Sequence, residues 1–196
     1  MPKAALSSAS LDEQEAVRRA RDGDDAAFAT LVDKYSRAMV DYCRRLVGDA
    51  VAAEDLAQET FVKLYLALPS FELGRPLPPF LYRIAHNHCL DYLRKKKTPT
   101  VSLTVEDEES GEETVLDVAD SRLAPDELAG RAEVQAAIDA ALAAMPPTYR
   151  GALIMRYREG LSYEDIAAAL ALPLGTVKAH IHRGRQKLQQ MLAPYV

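Results

Sequence analysis

The sequence predicts an all-α protein of two small helical domains, and three observations support this prediction. Apolar residues recur at helical spacing along most of the chain, whereas the alternating pattern of strands is nearly absent. Glycine, which weakens helices, accounts for only 9 of 196 residues. Residues 98–124 lack this periodicity, and the stretch 98–133 holds eleven acidic side chains against two arginines. We therefore predict an N-terminal domain at 1–97, a flexible acidic linker at 98–124 and a C-terminal domain at 125–196.

Four helices are expected in the N-terminal domain. They are predicted at about residues 12–21, 24–47, 51–68 and 80–97. Asp24 is suited to cap the second helix and Gly48 to end it, while Pro69 ends the third. The segment SFELGRPLPP, residues 70–79, is rich in proline, so we predict a rigid loop before Phe80.

The C-terminal domain is predicted to hold four helices, of which the last two form a helix-turn-helix. Pro125 suits a first helical turn that leads towards Met145, and a second helix covers about 148–159. Ser162 and Asp165 resemble a capping pair for the third helix. The fourth helix follows Pro173, and its buried face is predicted to carry Val177, Ile181, Gly184 and Leu188. Its outward face is basic and free of acids, which favours DNA binding over an ordinary amphipathic hairpin with a solvated basic face.

Composition and charge exclude several protein classes. The net charge is -5, but the acidic segment supplies the whole negative balance and leaves both predicted domains with a slight excess of basic residues. The sequence has no apolar run as long as a membrane span and no hydrophobic N-terminal signal, so we expect a cytoplasmic protein. Cys43 and Cys89 stand alone, which gives no zinc ribbon and favours small core residues.

Three stretches of the sequence resemble two conserved regions of a known family. The stretches AAEDLAQETFVKLYLALPSF (52–71) and FLYRIAHNHCLDYLRKKK (80–97) resemble the second conserved region of bacterial RNA polymerase sigma factors. The stretch at 144–188, which contains SYEDIAAALALPLGTVKAHIHRGRQKL, resembles their fourth region. A chain with only these two regions is similar to the extracytoplasmic-function (ECF) subgroup. The resemblance implies an alternative sigma factor, without enzymatic activity or cofactor, that directs core polymerase to specific promoters and assists their melting.

The resemblance also implies partners and binding residues in the second region. Core RNA polymerase would be bound through its beta-prime clamp helices and beta flap, and an anti-sigma factor would regulate the chain. Asp55, Gln58 and Glu59 lie on one outward helical face, where the family contacts the clamp helices; a solvated acidic face is the alternative. The residues implied to bind the minus-ten element are Phe71, Tyr82, Arg83, His86, Asn87, Arg94 and Lys95, with Asn87 as the base reader.

The fourth region would bind the minus-thirty-five element in the major groove. The implied contacts are Thr176, Lys178, Ala179, His182, Arg183, Arg185 and Lys187. Lys178 and Arg183 are the predicted base readers, because either side chain can donate to guanine O6 and N7. Thr176, Arg185 and Lys187 are better placed for phosphates.

Three features differ from the usual family pattern. The chain has no tryptophan, and Tyr65 and Phe80 stand where the family usually has one, so we expect aromatic packing to be retained. The loop before Phe80 has the sequence PLPP, which replaces the pattern that the family usually has there. Ala171 stands where a glycine is frequent, and a left-handed alanine would cost about 1 kcal/mol, so we predict a slightly rearranged turn.

Two other functions fit parts of the sequence. A helix-turn-helix regulator with a sensory N-terminal domain explains the fourth-region block but leaves the blocks at 52–71 and 80–97 unexplained. An enzyme or metal protein built around His86, His88 and Cys89 is disfavoured, since side chains two residues apart on a helix diverge. No arrangement of nucleophile and base supports catalysis either. We therefore predict neither a metal site nor catalytic residues.

Overall fold

The computed structural model describes residues 8–97 and 126–192, with side chains described at 12–96 and 135–192. In this described part the chain forms eight α-helices and one 3-10 turn, which confirms the all-α prediction. The helices are α1 (Ser8–Arg21), α2 (Asp25–Val47), α3 (Ala50–Ala67), α4 (Leu77–Lys97), α5 (Asp126–Ala143), α6 (Pro147–Tyr157), α7 (Tyr163–Leu170) and α8 (Leu174–Leu192). The predicted acidic linker lies outside the described residues. No helix within the described ranges is long and apolar enough to cross a membrane.

Local capping chemistry sets the bounds of α2 and α3. The Asp24 carboxylate accepts a hydrogen bond from the Ala27 N–H at 3.1 Å, which satisfies one of the free donors at the start of α2. Gly48 ends this helix with a left-handed backbone, φ 75°. Asp49 caps α3 in the same way, through the Ala52 N–H. The predicted cap and stop of the second helix are thus confirmed.

The start of α4 differs from the prediction. The helix begins at Leu77 rather than Phe80, so Pro78 and Pro79 lie inside its first turn. Proline is tolerated there because the first N–H groups of a helix have no partner within the helix, and its fixed φ suits a helical backbone. The predicted rigid loop is therefore shorter, and it includes Gly74 with φ 89°.

Helices α2, α3 and α4 enclose most of the N-terminal core. Its largest fully buried side chains include Leu31, Met39, Tyr42, Leu46, Leu64 and Leu81. Phe28 and Tyr65 meet edge to face at 4.9 Å between ring centres, and Phe71 and Phe80 lie 5.1 Å apart. Aromatic packing is therefore retained without tryptophan. Tyr65 nevertheless leaves 43% of its surface exposed.

The helix-turn-helix has the predicted N-cap but not the predicted change in its turn. Ser162 and Asp165 form a capping box, in which each side chain meets the other residue's backbone N–H. Ala171 keeps the left-handed conformation, with φ 53° and ψ 39°, and its N–H donates to the Ala167 carbonyl. The expected rearrangement of this turn is therefore wrong, and an alanine adopts the backbone that favours glycine.

The two predicted domains pack against each other through one continuous apolar core. Helix α4 contacts α7, and α2 contacts α5 and α6. The buried guanidinium of Arg150 on α6 donates to the Leu46 carbonyl at 2.7 Å, to the Met145 carbonyl at 2.9 Å and to the Ala143 carbonyl. The Leu46 and Ala143 carbonyls stand at the C-terminal ends of α2 and α5, where helices lack internal donors, and the Met145 carbonyl follows just after α5. One cation therefore caps a helix end in each domain.

His86 on α4 is buried beneath the C-terminal domain. Its Nδ1 lies 2.8 Å from the Tyr42 hydroxyl. A Cβ at Gly151 of α6 would lie 2.8 Å from the His86 Cε1, so a residue without a side chain is required at this crossing. Burial lowers the pKa of His86 to about 4, because the charged imidazolium is poorly solvated there.

We predict that Ala171→Gly raises the free energy of unfolding by about 1 kcal/mol, because it removes the cost of a left-handed alanine. Urea unfolding followed by circular dichroism measures the change. Ala168→Gly, at an exposed position inside α7, is the matched control and should lower stability by about 1 kcal/mol. Equal effects of the two substitutions would contradict the assigned strain.

We also predict that acidification destabilises the wild type more than His86→Gln. The folded state resists protonation of His86, whereas the unfolded chain accepts a proton near pH 6.5. Stability from this group is therefore present above pH 6.5 and is lost as the pH falls towards 4. The loss between pH 7 and pH 5 should be roughly 2 kcal/mol.

Urea titrations of both proteins at pH 7 and pH 5 check this value. His88 and His180 also have pKa values lowered by burial, but both residues are present in both proteins. Their contribution cancels in the comparison. Parallel pH dependences of the two proteins would show that His86 is accessible to protons in the folded chain.

Candidate polymerase-binding and DNA-binding surfaces

The first candidate surface is the outer face of α3, which the family resemblance implies for polymerase binding. Asp55, Gln58 and Glu59 are all exposed, as their helical spacing predicts. The Glu59 carboxylate lies 2.8 Å from the His88 Nε2 on α4, which restricts its side chain. The face thus presents two carboxylates and an amide to solvent, groups that accept hydrogen bonds from a basic partner.

Two apolar residues extend this face, and the sequence analysis did not identify them. Val62 is 59% exposed and Leu66 is 73% exposed. Val62 lies seven residues after Asp55 and four before Leu66, so all three share one side of α3. The spacing of Val62 and Leu66 from Asp55 is visible in the sequence and could have identified both residues as part of this surface. We call Asp55, Gln58, Glu59, Val62 and Leu66 together the α3 face.

The second candidate surface is a polar stripe on α4. Arg83, Asn87, Arg94 and Lys95 are exposed, and all but Lys95 follow helical spacing along one side. The Arg83 guanidinium lies 5.1 Å from the centre of the Phe80 ring, a cation–π contact. We call these four residues the α4 stripe. The stripe offers cations that can bind phosphates. The Asn87 amide can donate a hydrogen bond to a base and accept one from it.

Three other predicted minus-ten residues are buried in this arrangement. Phe71 packs against Phe80, Tyr82 donates a hydrogen bond to the Glu159 carboxylate at 2.6 Å, and His86 pairs with Tyr42. Their exposures are 6%, 2% and 3%. None of them reaches solvent, although the family resemblance implied that all three contact DNA. Glu159 belongs to the C-terminal domain, and no local pattern shows that this domain covers Tyr82 and His86. Phe71 instead belongs to the N-terminal core.

The third candidate surface is the outer side of α8. Lys178, His182, Arg183, Arg185 and Lys187 are exposed, whereas Thr176 and Ala179 are half-buried. The opposite side buries Val177, Ile181 and Gly184, as predicted, and Leu188 is half-buried. A Cβ at Gly184 would lie 2.8 Å from a Leu153 methyl carbon, so α8 crosses α6 closely. This anchoring leaves the basic side of α8 free for a partner, and we call it the α8 face.

The histidines of α4 have separate partners. His86 bonds Tyr42 in the core, whereas His88 contacts Glu59 at the surface. Both neighbouring cysteines, Cys43 and Cys89, are buried free thiols. Within the described residues no three histidine, cysteine, aspartate or glutamate side chains converge on a possible metal position.

Comparison with family models finds both predicted regions. Residues 31–98 match sigma-70 region 2, and residues 135–188 match sigma-70 region 4. The first match contains the α3 face and the α4 stripe, and the second contains the α8 face. The resemblance read from the three sequence blocks is therefore confirmed.

Individual relatives agree with these matches. The chain is 36% identical to the ECF RNA polymerase sigma factor SigW of Bacillus subtilis, over 90% of this chain and 94% of that protein. It is 37% identical to the RNA polymerase sigma-H factor of Pseudomonas aeruginosa, over 93% and 94%.

Solved structures share the fold. CnrH, in complex with the cytosolic domain of CnrY, has a TM-score of 0.69 at 23% identity, covering 93% of this chain and 98% of its own. The Bartonella quintana sigma factor RpoE, in complex with the anti-sigma factor NepR, has a TM-score of 0.62 at 26% identity, covering 85% and 96%. With sequence matches to both regions along most of its length, the chain belongs to the extracytoplasmic-function subgroup of the RNA polymerase sigma factors.

Proposed function

We propose that this sigma factor binds core RNA polymerase through the α3 face, the minus-ten element through the α4 stripe and the minus-thirty-five element through the α8 face. The observation that supports this assignment is the simultaneous exposure of three separate surfaces. The first is acidic with an apolar end, and the other two are basic. In this assignment residues 1–97 form the region 2 domain, 98–124 a linker and 125–196 the region 4 domain.

The α3 face suits a helical partner that carries both cations and apolar groups, as we expect of the beta-prime clamp helices. Asp55 and Glu59 are one helical turn apart and would pair with basic side chains, which sets orientation and association rate. Val62 and Leu66 would supply apolar contact area, which stabilises a complex by about 25 cal/mol per Å² buried. The combination makes a solvated acidic surface the weaker explanation.

The α4 stripe suits a single strand better than a duplex. Asn87 would bond the edge of an unstacked base, and Arg83 would stack on a base or neutralise a phosphate. Arg94 and Lys95 extend the stripe towards the C-terminal end of α4, where they would follow the strand backbone. Capture of an unpaired strand is how this surface would assist promoter melting.

The α8 face has the arrangement of a recognition helix. Lys178 and Arg183 would donate to guanine in the major groove, and Arg185 and Lys187 would contact phosphates. His182 is exposed beside them, while Thr176 and Ala179 offer a hydroxyl and a methyl close to the helix. The rest of the region 4 domain would contact the beta flap of the polymerase.

An anti-sigma factor is the regulatory partner that we propose. The Bartonella quintana relative is bound to such a factor. In this chain a cleft of about 670 Å³ lies between α2 and the C-terminal helices. Ile138, Leu142 and Ile154 line its apolar part, and Arg37 and Arg158 line it as well. An amphipathic segment with acidic residues would complement this lining.

The sequence also left open a regulator that acts without polymerase. The region 2 match distinguishes the two, because such a regulator has no use for the α3 face. The role we propose is non-catalytic and is carried out in the cytoplasm, where the polymerase acts. Binding to purified core polymerase is the decisive assay, since a regulator of the alternative class would bind promoter DNA alone.

We predict that Asp55→Lys with Glu59→Lys reduces affinity for core polymerase at least tenfold, because two attractive charge pairs become repulsive. Native gel shift or fluorescence anisotropy with labelled protein measures the affinity. The charge-matched control is Asp12→Lys with Asp33→Lys, which changes exposed acids on α1 and α2. An unchanged affinity of the α3 variant, with helix content preserved, would reject the docking assignment.

We predict that Arg183→Ala and Lys178→Ala each weaken promoter binding by about 1–3 kcal/mol and relax preference at one base position. Arg185→Ala should weaken all sequences equally, as expected of a phosphate contact. Selection from a library randomised in the minus-thirty-five element, with holoenzyme, measures the preferences. If Arg183→Ala selected the same sequences as wild type, Arg183 would not read a base.

A further inference from the structure

His88 on α4 contacts the α3 face from its inner side. The His88 Nε2 lies 2.8 Å from the Glu59 Oε2, across the contact between the two helices. The His88 side chain is only 14% exposed, whereas that of Glu59 is 63% exposed. Packing therefore holds the histidine in place, and the contact in turn decides the position of the otherwise solvated carboxylate.

The surroundings of the imidazole determine which of its nitrogens carries the hydrogen. The His88 Nδ1 is buried and has no hydrogen-bond partner among the described residues. A neutral imidazole has one N–H, and a buried N–H without an acceptor lowers stability. The hydrogen therefore belongs on Nε2, where the Glu59 carboxylate accepts it.

The charges around His88 favour this neutral ring. Burial and the nearby Lys63 lower the pKa of His88. Lys95 acts in the same direction, whereas Glu59 and Asp91 act against it. A neutral donor orients the Glu59 carboxylate without neutralising its charge, so the charge stays available to a basic partner.

Lys63 offers the same carboxylate a competing partner. It is exposed and lies four residues after Glu59 on α3, the spacing at which glutamate and lysine commonly pair on a helix surface. In the described part of the chain, however, the ion-pair contact of Glu59 is with His88. The histidine thus turns the carboxylate towards α4 and keeps it from a cation that would mask its charge.

A carboxylate held in this way is prepared for a partner protein. Oε2 accepts the hydrogen bond from His88, and Oε1 still has lone pairs for a donor on another chain. A long side chain loses rotamer freedom when an interface immobilises it, and this loss weakens binding. Because Glu59 is already restrained in the free chain, docking costs less entropy.

We propose that His88 is a positioning residue for polymerase binding, which holds the Glu59 carboxylate in the orientation that the α3 face presents to its partner. His88 is largely covered and acts only through Glu59. This inference rests on the proposed role of the α3 face. It adds a residue of α4 to a function so far assigned to α3 alone.

Two substitutions at His88 separate the hydrogen bond from the packing. His88→Gln keeps an uncharged N–H donor at nearly the same reach as Nε2. His88→Leu keeps apolar bulk but has no donor. Both replacements favour helices and suit a half-buried position. Circular dichroism checks that both variants keep their helices.

The first measurement is the affinity of the full chain for purified core polymerase, by fluorescence anisotropy. His88→Leu should weaken binding about two- to tenfold, which corresponds to ordering one long side chain at the interface. His88→Gln should bind within about twofold of wild type. Unchanged affinity of His88→Leu, or equal losses in both variants, would overturn the proposal.

The second measurement repeats the comparison in chains that carry Glu59→Ala. Without the carboxylate, His88→Leu should change the affinity less than about 1.5-fold, because the histidine then has nothing to position. A residue that only supports the packing of α3 on α4 would keep its effect in this background. A loss as large as in the wild-type background would therefore contradict the positioning role.

The third measurement is the tautomer of His88 in the free chain, read by nitrogen NMR of the imidazole rings near neutral pH. The signal that disappears in His88→Gln identifies the residue. We expect the hydrogen on Nε2. A neutral ring with its hydrogen on Nδ1 would overturn the proposal, since Nε2 could not donate to Glu59.

The double variant Asp55→Lys with Glu59→Lys separates this result from failure of the proposed function. If that variant leaves polymerase affinity unchanged, the α3 face is not the docking surface and the proposed function fails. If that variant weakens binding but His88→Leu does not, the docking surface stands and the positioning role of His88 is rejected.

Discussion

The arrangement of this protein depends on one buried cation, the Arg150 guanidinium. It donates to the ends of α2 and α5, two helices that belong to different domains. A carbonyl left buried without a donor costs about 1–3 kcal/mol, so these acceptors need a partner when the domains close. Arginine suits the position because its planar group has five donors and holds its charge after burial. The same side chain therefore completes the fold of one domain and fixes its contact with the other.

Two helix crossings then require close approach. Gly151 lets α6 lie against the His86 ring, and Gly184 lets α8 lie against Leu153 of the same domain. Glycine in a helix lowers helix stability by about 1 kcal/mol relative to alanine, so each of these two close crossings is made at that cost. The crossing at Gly184 positions the recognition helix inside its own domain. The crossing at Gly151 instead brings α6 of the C-terminal domain against α4 of the N-terminal domain.

The sequence predicts the local features and the outward faces well. The cap at Asp24, the capping box at Ser162 and the end of α2 at Gly48 depend on neighbours within a few residues, so short patterns reveal them. The exposure of Asp55 and Glu59 follows from helical spacing alone. The start of α4 was misplaced because Pro78 and Pro79 are compatible with both a loop and a first helical turn.

Contacts distant in sequence could not be predicted in this way. Tyr82 and Glu159 are separated by 77 residues, and nothing near either residue indicates the other. Helical spacing shows that Tyr82 and His86 share a side of α4 but not what covers that side. Ala171 shows a related limit, since the family pattern suggested a rearranged turn whereas the surrounding helices hold the alanine in a left-handed conformation.

The unequal exposure of the DNA surfaces connects the fold to regulation. A closed chain leaves the α8 face free, so duplex contact and single-strand contact need not occur together. An anti-sigma factor in the cleft between α2 and the C-terminal helices would contact both domains and favour the closed state by its differential affinity. Core polymerase would act in the opposite direction, because holding each domain at its own promoter element requires their separation. Regulation of such a chain then becomes a competition between two partners for one conformational equilibrium.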